Sequence, residues 1–143
     1  MGPRTSLKDW DRDLKHGEVG EQLVEAILSR GTTVEVKRDR YSCRTGMVAV
    51  EFRYRGQPSG IAATRAAWWA WVLDDPEGHS RAVLFVQTEH LRAVTREFYK
   101  AGKVKAGGDD GDSDFVLVPL VALFPGRVEY RERRVQKCDG RKH

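Results

Sequence analysis

Two hydrophobic periods run through the chain, and the places where one gives way to the other predict its elements. In residues 33–39, Val34 and Val36 alternate with Glu35, Lys37 and Asp39. Strand side chains repeat every second residue, so the valines share one side and the charges the other. Residues 47–54 do the same, with Val48, Val50, Phe52 and Tyr54 on the apolar side and Ala49, Glu51 and Arg53 on the polar one. Folded through residues 40–46 into an antiparallel pair of symmetric register, these strands would set Glu35 opposite Glu51, Lys37 opposite Ala49 and Asp39 opposite Met47. Facing carboxylates destabilise a sheet, so the acids would need open water or a cation between them. Alternating charge and valine is also what a two-stranded sheet with one wet face looks like.

Helical spacing governs the flanks. Leu23, Val24, Ile27 and Leu28 share one face of a helix predicted over residues 18–30, and Gly31 ends it. Glu21 lies at the edge of that face, whereas Glu18 points away from it and suits the positive helix end. Residues 61–73 interleave alanines with Trp68, Trp69 and Trp71 and predict a second helix, apolar nearly all round and therefore buried, with Ser59 as its N-cap. Those tryptophans fit core packing or a platform for stacked bases. A turn-rich loop over residues 74–80 leads to a continuous apolar run at residues 81–87, a buried strand.

Thr88 then caps a third helix through residue 101, with Leu91, Val94 and Phe98 inward. Arg92, Arg96 and Lys100 form an outward basic ridge that Lys103 and Lys105 continue; such a ridge tracks phosphates or is a solvated face. Residues 106–114 read as a flexible acidic loop. Its Asp110, Asp112 and Asp114 imitate a calcium loop, but Phe115 and Val121 stand where that loop needs glycine and glutamate. A strand at residues 115–118, a helical turn at 119–124 and an edge strand at 127–134 follow.

This order predicts an α/β fold: one domain over residues 17–134, a small mixed β-sheet flanked by helices, between a polar lead-in (1–16) and a basic tail (135–143). A length of 143 residues suits one domain with one core and is short for two. Lys plus Arg number 25 against 21 Asp plus Glu, a net charge of +4 that leans mildly toward a polyanionic partner. Cys43 and Cys138 are too far apart in sequence to suggest a disulfide framework or a thiolate metal site, which suits a reducing compartment. No signal-like or membrane-length apolar run is present, so the expected location is the cytoplasm.

Gly17-Glu18-Val19-Gly20-Glu21, then Glu35-Val36-Lys37, with Thr45-Gly46, Val50-Glu51, Pro58-Ser59-Gly60-Ile61 and Ala67-Trp68 downstream, resembles the PD-(D/E)XK nuclease superfamily. The arrangement is similar to a phage and prophage branch of its Holliday-junction-resolvase-like endonucleases, over roughly residues 17–73. The resemblance implies a restriction-endonuclease-like core, hydrolysis of phosphodiester bonds in DNA, including branched or structured DNA, and a Mg²⁺ or Mn²⁺ cofactor. For a phage-encoded protein the location would be the host cytoplasm. Carried over by position, Glu35 and Lys37 match the Glu-x-Lys pair and Glu21 the helix glutamate. The family's separate strand aspartate has no counterpart in residues 22–34. Asp39 and Glu51, on the predicted face of Glu35, are the replacements, Glu51 the stronger.

The expected metal ligands are therefore Glu21, Glu35, Asp39 and Glu51, with Lys37 as the catalytic cation. Arg53, Arg65, Arg92 and Arg96 are the expected phosphate contacts, Arg53 foremost because it shares the predicted Glu51 face. Many such nucleases act as homodimers, though no stretch of this chain marks a dimer interface. Two other classes stay open: a non-catalytic nucleic-acid-binding protein that keeps the fold, and a protein-interaction module using an edge strand or the tryptophans.

Overall fold

The computed structural model describes residues 7–124; the edge strand expected at 127–134 and the basic tail lie outside them. Helix α1 (Leu7–Leu28) starts inside the expected lead-in. Its exit is closed by side chains: the Ser29 and Thr32 hydroxyls both donate to the Ala26 carbonyl, at 3.0 and 2.8 Å. Val19, Leu23, Val24 and Leu28 are exposed, so the apolar stripe of α1 lies against neither sheet.

The chain then forms β1 (Val34–Asp39), α2 (Ser42–Thr45), β2 (Met47–Tyr54) and β3 (Gln57–Pro58). A 3₁₀ turn (Gly60–Ala62) leads to β4 (Trp68–Asp74), β5 (Ser80–Gln87) and α3 (Thr88–Lys100). Strands β6 (Val104–Gly107) and β7 (Ser113–Pro119) and a 3₁₀ turn (Leu120–Leu123) complete it. The class is α/β, as expected, with the strands divided between two sheets. One has the order β1-β4-β5, with β1 parallel and β5 antiparallel to β4; the other is antiparallel, β3-β2-β7-β6.

Three sequence expectations are corrected. First, β1 and β2 are not a hairpin: Glu35 lies beside Trp69, Lys37 beside Trp71 and Asp39 beside Leu73, while Ala49 and Glu51 lie beside Leu117 and Phe115. The reason is local. The Asp39 carboxylate accepts the backbone N–H groups of Tyr41 and Ser42, at 3.0 and 2.6 Å, and so starts a helical turn that carries the chain to the other sheet.

Second, the helix predicted over residues 61–73 is a short 3₁₀ turn followed by the central strand β4. A central strand covered on both faces is apolar on both, which imitates a helix apolar all round; here Trp68, Trp69, Ala70 and Trp71 are all buried. Third, the start of the supposed acidic loop pairs as β6.

The core joins one face of the four-stranded sheet (Val48, Val50, Val116, Val118) to Leu91 and Val94 of α3 and to Trp69, Trp71 and Val86 of the other sheet. Full burial of one such aliphatic side chain stabilises by about 1.5–3 kcal/mol. No helix among the described residues is long and apolar enough to cross a membrane.

Candidate functional site

Alternation places Glu35, Lys37 and Asp39 on the face of their sheet that carries Trp69 and Trp71. The charges therefore look toward the other sheet, and Val36 is turned outward to solvent. Because β1 is an edge strand, its inward side chains border an open groove of about 780 Å³ instead of the dry core. Lys37, Asp39, Trp69 and Trp71 line one side of it; Ala49, Glu51, Lys105, Phe115 and Leu117 line the other.

Glu51 is held in the groove at both of its carboxylate oxygens. Its Oε1 accepts the Ser59 hydroxyl at 2.6 Å and its Oε2 the Ser113 hydroxyl at 2.9 Å. Ser59 is thus spent on Glu51 and caps no helix. Lys37 is half-buried; its Nζ lies 2.8 Å from Glu35 Oε1 and 5.5 Å from the centre of the Trp69 ring, which orients the ammonium from two sides. The buried Asp39 lends Oδ1 to the backbone of α2, and its Oδ2 accepts no hydrogen bond among the described residues.

Of the expected metal ligands, Asp39 and Glu51 share the groove with Lys37. Glu35 does not line it and touches it only through Lys37; Glu21 is exposed on α1 and does not line it. Among the described residues no three His, Cys, Asp or Glu side chains come together as a metal cage.

The arginines separate from this site. A register shift between Glu51 and Arg53 puts Phe52 and Arg53 together on the α3 side of the sheet, so Arg53 leaves the Glu51 face. There, with Arg92 and Arg96, it lines a second cavity; Arg65 is exposed in the connection before β4 and lines neither. Sequence reasoning missed Ser59 and Ser113 as the clamp on Glu51. Ser59 had an alternative use as a cap, and Ser113 stood inside a stretch that read as loop. Lys105 was noticed only as part of a ridge. Comparison with family models, with characterised proteins and with solved structures returned no match.

Proposed function

We propose that the chain is a metal-dependent endonuclease that hydrolyses phosphodiester bonds in DNA, with the groove between the two sheets as its reaction centre. One observation carries this reading: Lys37 and Glu51, on strands of different sheets, line the same groove, the carboxylate clamped by two hydroxyls and the ammonium fixed by Glu35 and Trp69. An acid and a cation held in place before substrate arrives are what phosphoryl chemistry asks of a protein. Mg²⁺ is commonly bound by one or two carboxylates, with water and substrate phosphate completing its coordination. Either Asp39 or Glu51 alone would meet that lesser requirement: Asp39 Oδ2 accepts no hydrogen bond among the described residues, and the serines use one of the two lone pairs on each oxygen of Glu51.

A divalent ion held there would neutralise phosphate charge and acidify a water. Lys37 donates from Nζ to a non-bridging phosphate oxygen or to the attacking water, exchanging its Glu35 contact for the substrate. Trp69, Trp71, Phe115 and Leu117 give the groove apolar walls beside its charges.

The test is cleavage of labelled linear and branched DNA across a Mg²⁺ and Mn²⁺ titration. Cleavage is expected from the unaltered chain and lost by at least about a hundredfold in Lys37→Ala and Glu51→Gln, the usual scale for one positioned group. Binding of DNA without cleavage at any metal concentration would establish the second reading, a non-catalytic nucleic-acid-binding protein. That reading is favoured by the partner Lys37 already has, and by the scatter of the acids among the described residues, where no three come together.

A further inference from the structure

The cavity between β2 and α3, on the opposite face of the four-stranded sheet from the groove, has about 340 Å³ and is lined by Arg53, Arg92 and Arg96, by Thr95, and by Phe52 and Tyr99. Among the described residues no carboxylate lines it. The acids nearest its arginines lie at the edge: Asp114 is 3.5 Å from Arg53, and Glu89, which pairs with Arg92, is 82% exposed. Arg92 is fixed by donating to the Ile61 and Thr64 carbonyls, and Arg96 has no ion pair or side-chain hydrogen bond among the described residues. Gathering guanidinium groups around one cavity is unfavourable without an anion, and guanidinium matches phosphate oxygens in geometry as well as charge.

Three further features point to the rest of the ligand. Thr95 is 5% exposed and its hydroxyl has no hydrogen-bond partner among the described residues, a costly state that a turn of the side chain toward an oxygen acceptor in the cavity would end. Phe52 and Tyr99 meet edge to face at 5.3 Å, with the Arg53 guanidinium 5.3 Å from the Phe52 ring centre, and Tyr99 is half-exposed. That leaves an aromatic surface for a flat group next to the cations. The bulge that turns Arg53 to this side is a device strands use to re-aim a side chain. At the lower end of small-ligand cavity sizes, the space suits one nucleotide and excludes a duplex.

We propose that the cavity between β2 and α3 is a binding site for a single phosphate-bearing nucleotide unit. The phosphate lies between Arg53, Arg96 and the Thr95 hydroxyl, near the fixed charge of Arg92, and the base lies against Tyr99. A free nucleotide and a unit of a single strand present this same chemistry. The site does not depend on the chemistry of the groove.

Calorimetric titration of the whole chain, without divalent metal, tests it with four probes: a nucleoside, its 5′-monophosphate, a trinucleotide and inorganic phosphate. The monophosphate is expected to bind saturably and the nucleoside at least about tenfold more weakly, the scale of one charge-assisted hydrogen bond. Arg96→Ala should weaken the monophosphate and inorganic phosphate alike by about tenfold, and Thr95→Val by a few-fold. Tyr99→Ala should weaken the monophosphate and leave inorganic phosphate unchanged. A trinucleotide that binds tighter than the monophosphate identifies a strand as the source; equal or weaker binding identifies the free nucleotide. Equal affinity for nucleoside and monophosphate, no saturable binding, or unchanged affinity in a folded Arg96→Ala variant would overturn the proposal.

Discussion

Gly60 packs directly on the backbone of Glu51: a Cβ there would lie 2.2 Å from the Glu51 carbonyl oxygen, and its φ is +52°. Backbone cannot yield as a flexible side chain does, so Gly60→Ala should cost at least about 2 kcal/mol in chemical denaturation. It should also move Ser59, and with it the hydroxyl on Glu51. Thr88 makes the opposite case. It opens α3 without capping it, and its buried hydroxyl has no partner among the described residues. Valine keeps the shape and removes the unpaired group, so Thr88→Val should raise stability by about 1 kcal/mol. At this scale the sequence marked Pro58-Ser59-Gly60 as a break and Glu51 as a candidate. It did not tell why the break needs glycine, because that reason is a through-space distance between residues of different elements.

Elements were legible where their period is local and ambiguous where burial is two-sided. Strands β1 and β2 and helix α3 follow their patterns, while β4 read as a helix because Trp68 to Trp71 are buried on both faces. Asp39 shows how one carboxylate decides a connection, since it accepts two backbone N–H groups at the start of α2. Asp39→Ala should cost about 1–2 kcal/mol, whereas Asp39→Asn keeps the acceptor and should stay within about 0.5 kcal/mol. If Asp39 also holds the metal, Asn in its place loses divalent binding with the fold intact, which a Mn²⁺ titration of the folded variant reads.

The β4–β5 turn turns on Asp75. The Arg81 side chain, followed by the His79 backbone N–H, holds its carboxyl below the ordinary 3.8. The unfolded chain takes up the proton first as pH falls. The contribution of Asp75 is therefore whole above 3.8 and fades as pH drops through the lower folded value. Protection of the Glu77 and His79 amides from exchange, relative to the intrinsic rate at each pH, should fall below that pH, since their N–H groups bond Asp75 Oδ1, and lose this dependence in Asp75→Asn.

The whole molecule depends on contacts that no local pattern encodes. Strand β1 pairs with β4 past two intervening strands of the other sheet, and β2 pairs with β7, so which charges share a groove is fixed by non-local pairing. That pairing also limits how DNA would be held under the proposed function. Among the basic residues lining the groove, Lys37 is paired with Glu35 and Arg38 with Asp74, which leaves Arg40 and Lys105 without an ion pair among the described residues. Each phosphate neutralised adds about 0.9 to the slope of log affinity against log salt. A duplex seated in the groove should therefore show a shallow slope, between about −1 and −3, and Arg53 and Arg96 would add about −2 if a strand also reached the second cavity. Filter binding or fluorescence anisotropy across a salt series, without divalent metal, measures it. A slope steeper than about −5 needs more cations than these two surfaces offer, and would place the DNA elsewhere on the protein.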